Sequence, residues 1–139
     1  MKKILFLSVM LLMCTFTFAQ QALWGGAPVV SPEIHDNNTV TFRLKAPKAV
    51  KVQITGDFLP TQKISTPMGE FDGPGFADLK EGKDGVWEFT TSTPLQPELY
   101  SYSFMVDGLR MMDPSNVYAI RDVATVTNVF IIGGERADL

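Results

Sequence analysis

Few side chains in this chain are of the kind that do covalent or metal chemistry. Among 139 residues there is one histidine, His35, and one cysteine, Cys14. A serine hydrolase needs a histidine base steered by a carboxylate, and a nucleophile elbow needs G-x-S-x-G on a strand-to-helix turn. No such run occurs, and His35 lies in His35-Asp36-Asn37-Asn38, a string of turn-forming residues. One histidine and one cysteine do not make up a tetrahedral transition-metal site. Asp57, Asp72, Asp78 and Asp84 lack the spacing of a known calcium loop and are expected to be solvated. The expectation is therefore a chain with no catalytic residue, no metal and no cofactor. What remains is recognition through aromatic and charged side chains. Trp24, Trp87, Tyr100 and Arg121 are the candidates for contact with carbohydrate or a second domain, the alternatives being an aromatic plug for Trp24, core packing for Trp87 and Tyr100, and a local ion pair with Asp122 for Arg121.

The elements that must position them are strands. From Tyr100 the large apolar residues fall at every second place, Tyr100, Tyr102, Phe104 and Val106, the period of a half-buried strand. Asp107-Gly108 then predicts a two-residue hairpin turn that sets Val106 opposite Leu109. Val40, Phe42 and Leu44, and then Val50, Val52 and Ile54, repeat the alternation and are expected to pair antiparallel with each other. Pro32-Glu33-Ile34 suits a short edge strand, Val86 to Thr91 another strand, and Val123 to Ile132 the last one. Thr61 to Lys83 is predicted as a long connection with one short strand at Ala77 to Lys80. About seven strands with turn signals between them describe an all-β sandwich.

The opening Met1 to Ala19 has two lysines, an apolar stretch short for a membrane span, and Thr17-Phe18-Ala19 at its end, the pattern of a secretory signal cut after Ala19. Cys14 lies inside it, so the mature chain would carry no thiol and no disulfide. Met13 is large where a lipidated cysteine wants a small neighbour. Removing Lys2 and Lys3 from the twelve basic side chains leaves ten against fifteen acidic ones. That balance argues against nucleic acid and an anionic membrane as partners, while the signal pattern predicts a secreted or periplasmic protein. Residues 20–33 form a glycine- and proline-punctuated leader, 34–133 a single β-sandwich domain, and 134–139 a tail or the start of a linker.

The order G-D-F at Gly56, G-V-W-E-F-T at Gly85, Y-S-Y-S-F-M-V-D-G at Tyr100 and D-P-S-N at Asp113 resembles the immunoglobulin-like early-set domains grouped with the family 48 carbohydrate-binding modules. More narrowly, P-E-L-Y-S-Y-S-F-M-V-D-G-L at Pro97 and N-V-Y-A-I-R-D-V-A-T-V-T-N-V-F-I-I-G-G at Asn116 resemble the N-terminal domain of secreted carbohydrate esterases of family 1, the feruloyl and acetyl-xylan esterases of Bacteroidetes. The resemblance implies an immunoglobulin-like early-set β-sandwich that is a non-catalytic accessory module. Such a module would pack on an esterase catalytic domain, in cis or in trans, and help position hemicellulose. It also implies where sugar would bind. Starch-binding members stack glucose on a tryptophan after the G-D-F motif and another after the V-D-G turn. Those places hold Thr61 and Arg110 here; a lysine before the turn is replaced by Ser103, and an asparagine in the last strand matches Asn128. Arg110 and Asn128 thereby join the candidate contacts, while α-glucan stacking loses both platforms. Two other readings stand beside this one: a stand-alone glycan-binding module of the cell envelope, and the remnant of a truncated esterase. Because the esterases continue past the last strand into their hydrolase domain, an apolar patch near Trp24 and the leader is expected where that domain would pack.

Mass spectrometry of the exported protein should find Gln20 at the N-terminus. A lipid adduct on Cys14 would overturn the expectation of a soluble exported form.

Overall fold

The computed structural model describes residues 28–134; the segment expected to be a secretory signal, Cys14 and Trp24 lie outside the described residues. The chain folds as an all-β immunoglobulin-like sandwich. One sheet has four strands in the order β1 (Glu33–Ile34), β2 (Val40–Lys45), β8 (Val86–Thr90) and β7 (Lys80–Glu81). The other runs β11 (Ala119–Arg121), β12 (Val126–Ile131), β9 (Leu99–Val106), β3 (Val52–Gly56) and β6 (Phe76–Asp78), with β10 (Leu109–Met111) beside β9. A separate hairpin joins β4 (Gln62–Thr66) to β5 (Gly69–Gly73). All the pairings are antiparallel.

Alternation decides the core. Val40, Phe42 and Leu44 from one sheet meet Val52, Ile54, Tyr100, Tyr102, Phe104 and Phe130 from the other, all buried. Phe42 lies at the centre of an aromatic cluster, with ring centroids 5.1 Å from Phe58, 4.8 Å from Tyr102 and 5.5 Å from Phe130. These tilted, edge-on and offset pairs add about 0.5–1.5 kcal/mol each beyond the area they bury.

The segments expected to pair with each other, around Val40–Leu44 and Val50–Ile54, lie in different sheets. The corner Ala46–Ala49 turns the chain across the sandwich, so their apolar faces meet through the core instead of side by side. The long connection after Thr61 is largely structured as the β4–β5 hairpin and the strands β6 and β7. Between those two, buried Leu79 marks the point where the chain leaves one sheet for the other. Asp107-Gly108 does form the turn, with φ of 49° and 86°, and sets Val106 opposite Leu109. The Asp107 carboxylate accepts from the Val50 and Lys51 amides, which ties this turn to the start of β3.

The D-P-S-N segment does more than turn. Asp113 is 2% exposed, and its Oδ2 accepts from the Ser31 hydroxyl at 2.5 Å and the Tyr102 hydroxyl at 2.8 Å. Its Oδ1 accepts from the Ser115 amide, and its own amide donates to Asn128 Oδ1 at 2.7 Å. Asn116 Nδ2 donates to the Tyr102 oxygen and the Val129 carbonyl, while Asn128 Nδ2 donates to the Asn116 and Tyr118 carbonyls. Ser31 also accepts the Arg43 amide, so the network reaches from the first sheet to the second. Burial pushes the Asp113 carboxyl above the usual carboxylate range, outweighing its three hydrogen bonds. Burial and then the Asp113 charge push the Tyr102 hydroxyl up as well.

Asp113→Ala should cost about 2–4 kcal/mol in urea unfolding, because it strands two buried hydroxyls and an amide. Asp113 holds its proton more tightly folded than unfolded, so its contribution is fully present below its unfolded value and falls as pH rises from about 4 toward the folded value. Relative to Asp113→Asn, the native chain should therefore lose stability as pH rises through that window. A pH-independent difference between the two would contradict it.

Candidate functional site

The G-D-F motif builds one wall of a cleft. At Gly56 a Cβ would lie 2.6 Å from the Phe58 ring and 2.7 Å from the Ser101 carbonyl, so only glycine lets Phe58 fold inward onto Phe42. Asp57 then caps the edge of β9, its Oδ2 accepting from the Ser101 amide at 2.9 Å and the Ser101 hydroxyl at 2.6 Å. The chain continues through Leu59 to Thr61 and is met by Pro74-Gly75 returning from the hairpin. A Cβ on Gly75 would lie 2.0 Å from the Pro60 carbonyl oxygen, so this wall also depends on a glycine.

Between that wall and β10 lies a cleft of about 240 Å³ on the outer face of the six-stranded sheet. Its lining includes Thr55, Thr61, Ser103, Arg110 and Thr127, beside Asp57 and Ser101. Register explains the assembly. Ser103 is paired with Thr55, and Arg110 is paired with Met105, all on the face opposite Tyr102 and Phe104. Ser103 is 1% exposed, and its hydroxyl has no hydrogen-bond partner among the described residues.

Thr61, Ser103 and Arg110, far apart in sequence, thus line one cleft. Asn128 does not join them. It sits opposite Tyr102 on the inner face, fully buried, and is spent on Asp113 and two carbonyls; Thr127 takes the outward place. Its candidacy as a sugar contact fails on that one-residue change of face. Trp87 and Tyr100 are also buried, with their polar tips satisfied by the Ala46 and Gln96 carbonyls, so neither offers a face to a ligand. Arg121 is exposed on β11, and the ion pair expected with Asp122 is absent among the described residues. Asp122 instead accepts from the Ala124 and Thr125 amides and the Thr125 hydroxyl, which lower its pKa. Trp24 lies outside the described residues.

His35 Nε2 is 2.7 Å from the buried Thr41 hydroxyl, which in turn meets Thr90, and this threonine has no opening toward a substrate. Asp72 and Asp78 pair with lysines, and Asp84 takes a left-handed turn position. A second, larger concavity of about 630 Å³ is apolar. It lies between β1 and β12 and is lined by Val29, Val30, Ile34, Leu99, Tyr118 and Ile131 among others. It shares no residue with the polar cleft. Reasoning from sequence missed Thr55, Asp57, Thr127 and the Pro74-Gly75 wall as cleft residues. For Asp57 the signal was its place inside G-D-F; for Gly75 nothing local marks it.

No family model matches the chain. A 1,4-α-glucan branching enzyme of Lactobacillus acidophilus is 33% identical over 79 residues, which are 56% of this chain and 10% of the enzyme. Among solved structures, the GBS pullulanase SAP in complex with maltotetraose aligns at a TM-score of 0.52 with 14% identity, over 76% of this chain and 15% of that one. The pullulanase of Paenibacillus barengoltzii aligns at 0.49 with 19% identity, over 76% and 15%. At these identities the structural likeness shows the fold alone. The chain spans a small fraction of each of these much longer proteins.

Because no ring among the described residues presents its face to the cleft, maltooligosaccharide should bind no tighter than about millimolar in calorimetry. Micromolar binding would show that Thr61 and Arg110 do not stand where the stacking residues belong.

Proposed function

We propose that this chain is a non-catalytic, glycan-binding accessory module of an exported polysaccharide-acting enzyme. The observation that carries the reading is the separation of two surfaces on one small sandwich: a polar cleft with an unsatisfied hydroxyl, and a larger apolar groove with which it shares no residue. The cleft suits a sugar. The groove suits a protein, since Leu99, Ile131, Ile34 and Tyr118 are exposed around it. The outer face of the four-stranded sheet is a poorer docking surface. There Arg43 bridges Glu33 at 2.5 Å and Glu88 at 2.6 Å, a solvated ionic cluster that costs desolvation to cover.

For the partner we favour the hydrolase domain of a family 1 carbohydrate esterase, on the sequence motifs from Pro97 to Gly134, with hemicellulose as the substrate. The branching enzyme supports a second reading, a module of an α-glucan enzyme. The cleft weighs against it, because Arg110 and Thr61 replace the stacking surface that a neutral glucan chain needs. The signal pattern of Met1–Ala19 supports a secreted or periplasmic site of action.

The full chain should hydrolyse neither feruloyl nor acetyl esters, and should bind such a hydrolase domain supplied in trans. Leu99→Asp or Ile131→Asp should weaken that binding by at least about 1 kcal/mol, and Trp24→Ala similarly if it anchors the same interface. Turnover by the chain alone would overturn the non-catalytic reading, and binding indifferent to both aspartates would remove the groove as the docking face.

A further inference from the structure

Along the outer face of β9 the cleft presents an ordered row of polar groups. Asp57 is held against Ser101, Ser103 follows two residues on, and Arg110 is paired with Met105 two residues further. At about 3.3 Å per residue the two ends are about 13 Å apart along the strand, with the Ser103 hydroxyl between them. Each member is available. Arg110 makes no ion pair or side-chain hydrogen bond among the described residues, and Asp57 spends Oδ2 on Ser101 while no donor among them reaches Oδ1. The Ser103 hydroxyl is buried without a partner among the described residues, an arrangement that native proteins avoid unless a ligand or water satisfies it. The volume of about 240 Å³ lies below that of ordinary ligand pockets, and suits one sugar ring more than a chain of them.

Resting on the glycan-binding reading above, we propose that this cleft takes a single uronic acid unit borne on an otherwise neutral polysaccharide. The Arg110 guanidinium holds the carboxylate, to which its planar fork is matched. Ser103 bonds to the ring, and Asp57 Oδ1 accepts from a ring hydroxyl at the far end. A neutral sugar leaves the cation with hydroxyls alone. A run of uronic acids would set further carboxylates against Asp57 and against a chain of net charge −3, so an isolated acidic unit fits best. Arg110 thus replaces an aromatic platform with a charge-reading one at the same place on the sheet.

The test is an amide NMR titration of the full chain with methyl glucuronoside and with methyl glucoside of the same anomer. The acid should bind about fivefold more tightly, the scale of an exposed Arg–carboxylate pair, with shifts at Ser101, Ser103 and Arg110. The preference should shrink between about 50 and 500 mM salt. Arg110→Ala changes an exposed side chain and should fold normally, yet abolish the preference. Ser103→Ala should weaken both sugars and leave the preference intact. Equal binding of the two sugars, or a preference that survives Arg110→Ala, overturns the uronic acid assignment alone. Failure of both sugars to shift the cleft amides overturns it together with the glycan-binding reading.

Discussion

Among the described residues, the carboxylate of Asp113 is the point through which side-chain hydrogen bonds join the two sheets. It takes hydrogen bonds from Ser31, beside the first sheet, and from Tyr102, in the second, and its own backbone is fixed by Asn128. A buried carboxyl is tolerated only when its lone pairs are used, and here both oxygens are. Hydrophobic pairing of two sheets is non-directional and would permit sliding. The polar clamp selects one register, because a shift of a single residue would leave Tyr102, Asn116 and Asn128 with unmatched groups. The aromatic cluster around Phe42 then packs in one arrangement.

That clamp makes the state of Ser103 informative. The inner-face polar groups within a few residues of it are satisfied through several bonds each, whereas the Ser103 hydroxyl, one residue from Tyr102 but on the opposite face, has none among the described residues. A fold that satisfies its interior so thoroughly leaves a buried hydroxyl unpaired only at the floor of an open cleft. The walls show the same economy. Gly56 and Gly75 stand where any side chain would collide with Phe58 or Pro60, so the cleft's shape is set by close backbone approach and not by bulky lining groups.

Much of the fold was legible because alternation is local. Tyr100-Ser101-Tyr102-Ser103-Phe104 announces a half-buried strand whatever surrounds it, and Asp107-Gly108 announces its turn. The β2–β3 pairing was misjudged for an equally physical reason: two amphipathic strands bury the same face whether they lie edge to edge or face to face across a core. Asp113-Pro-Ser-Asn likewise looked like a self-contained turn, since the side chains could serve their own backbone. Asp113 and Asn116 do so in part, accepting from the Ser115 and Tyr118 amides, but Ser31 lies 82 residues away and no local pattern points to it.

Residue type and a period of two suffice for the class of fold, for the absence of a nucleophile elbow, and for most of the core, although Val50, in step with Val52 and Ile54, is exposed. Which face each polar residue serves depends on the long-range pairing of the strands. Asn128 and Thr127 are adjacent, equally polar and equally plausible as ligand contacts; the pleat sends one into the clamp and the other to the cleft. Trp87 and Tyr100 look like platforms in the sequence and are core in the fold, since their polar tips find carbonyls at the edge of the sandwich. Thr61, Ser103 and Arg110 become one site because strands distant in the chain are brought side by side, and strand order is set by long-range pairing that no short window of sequence contains.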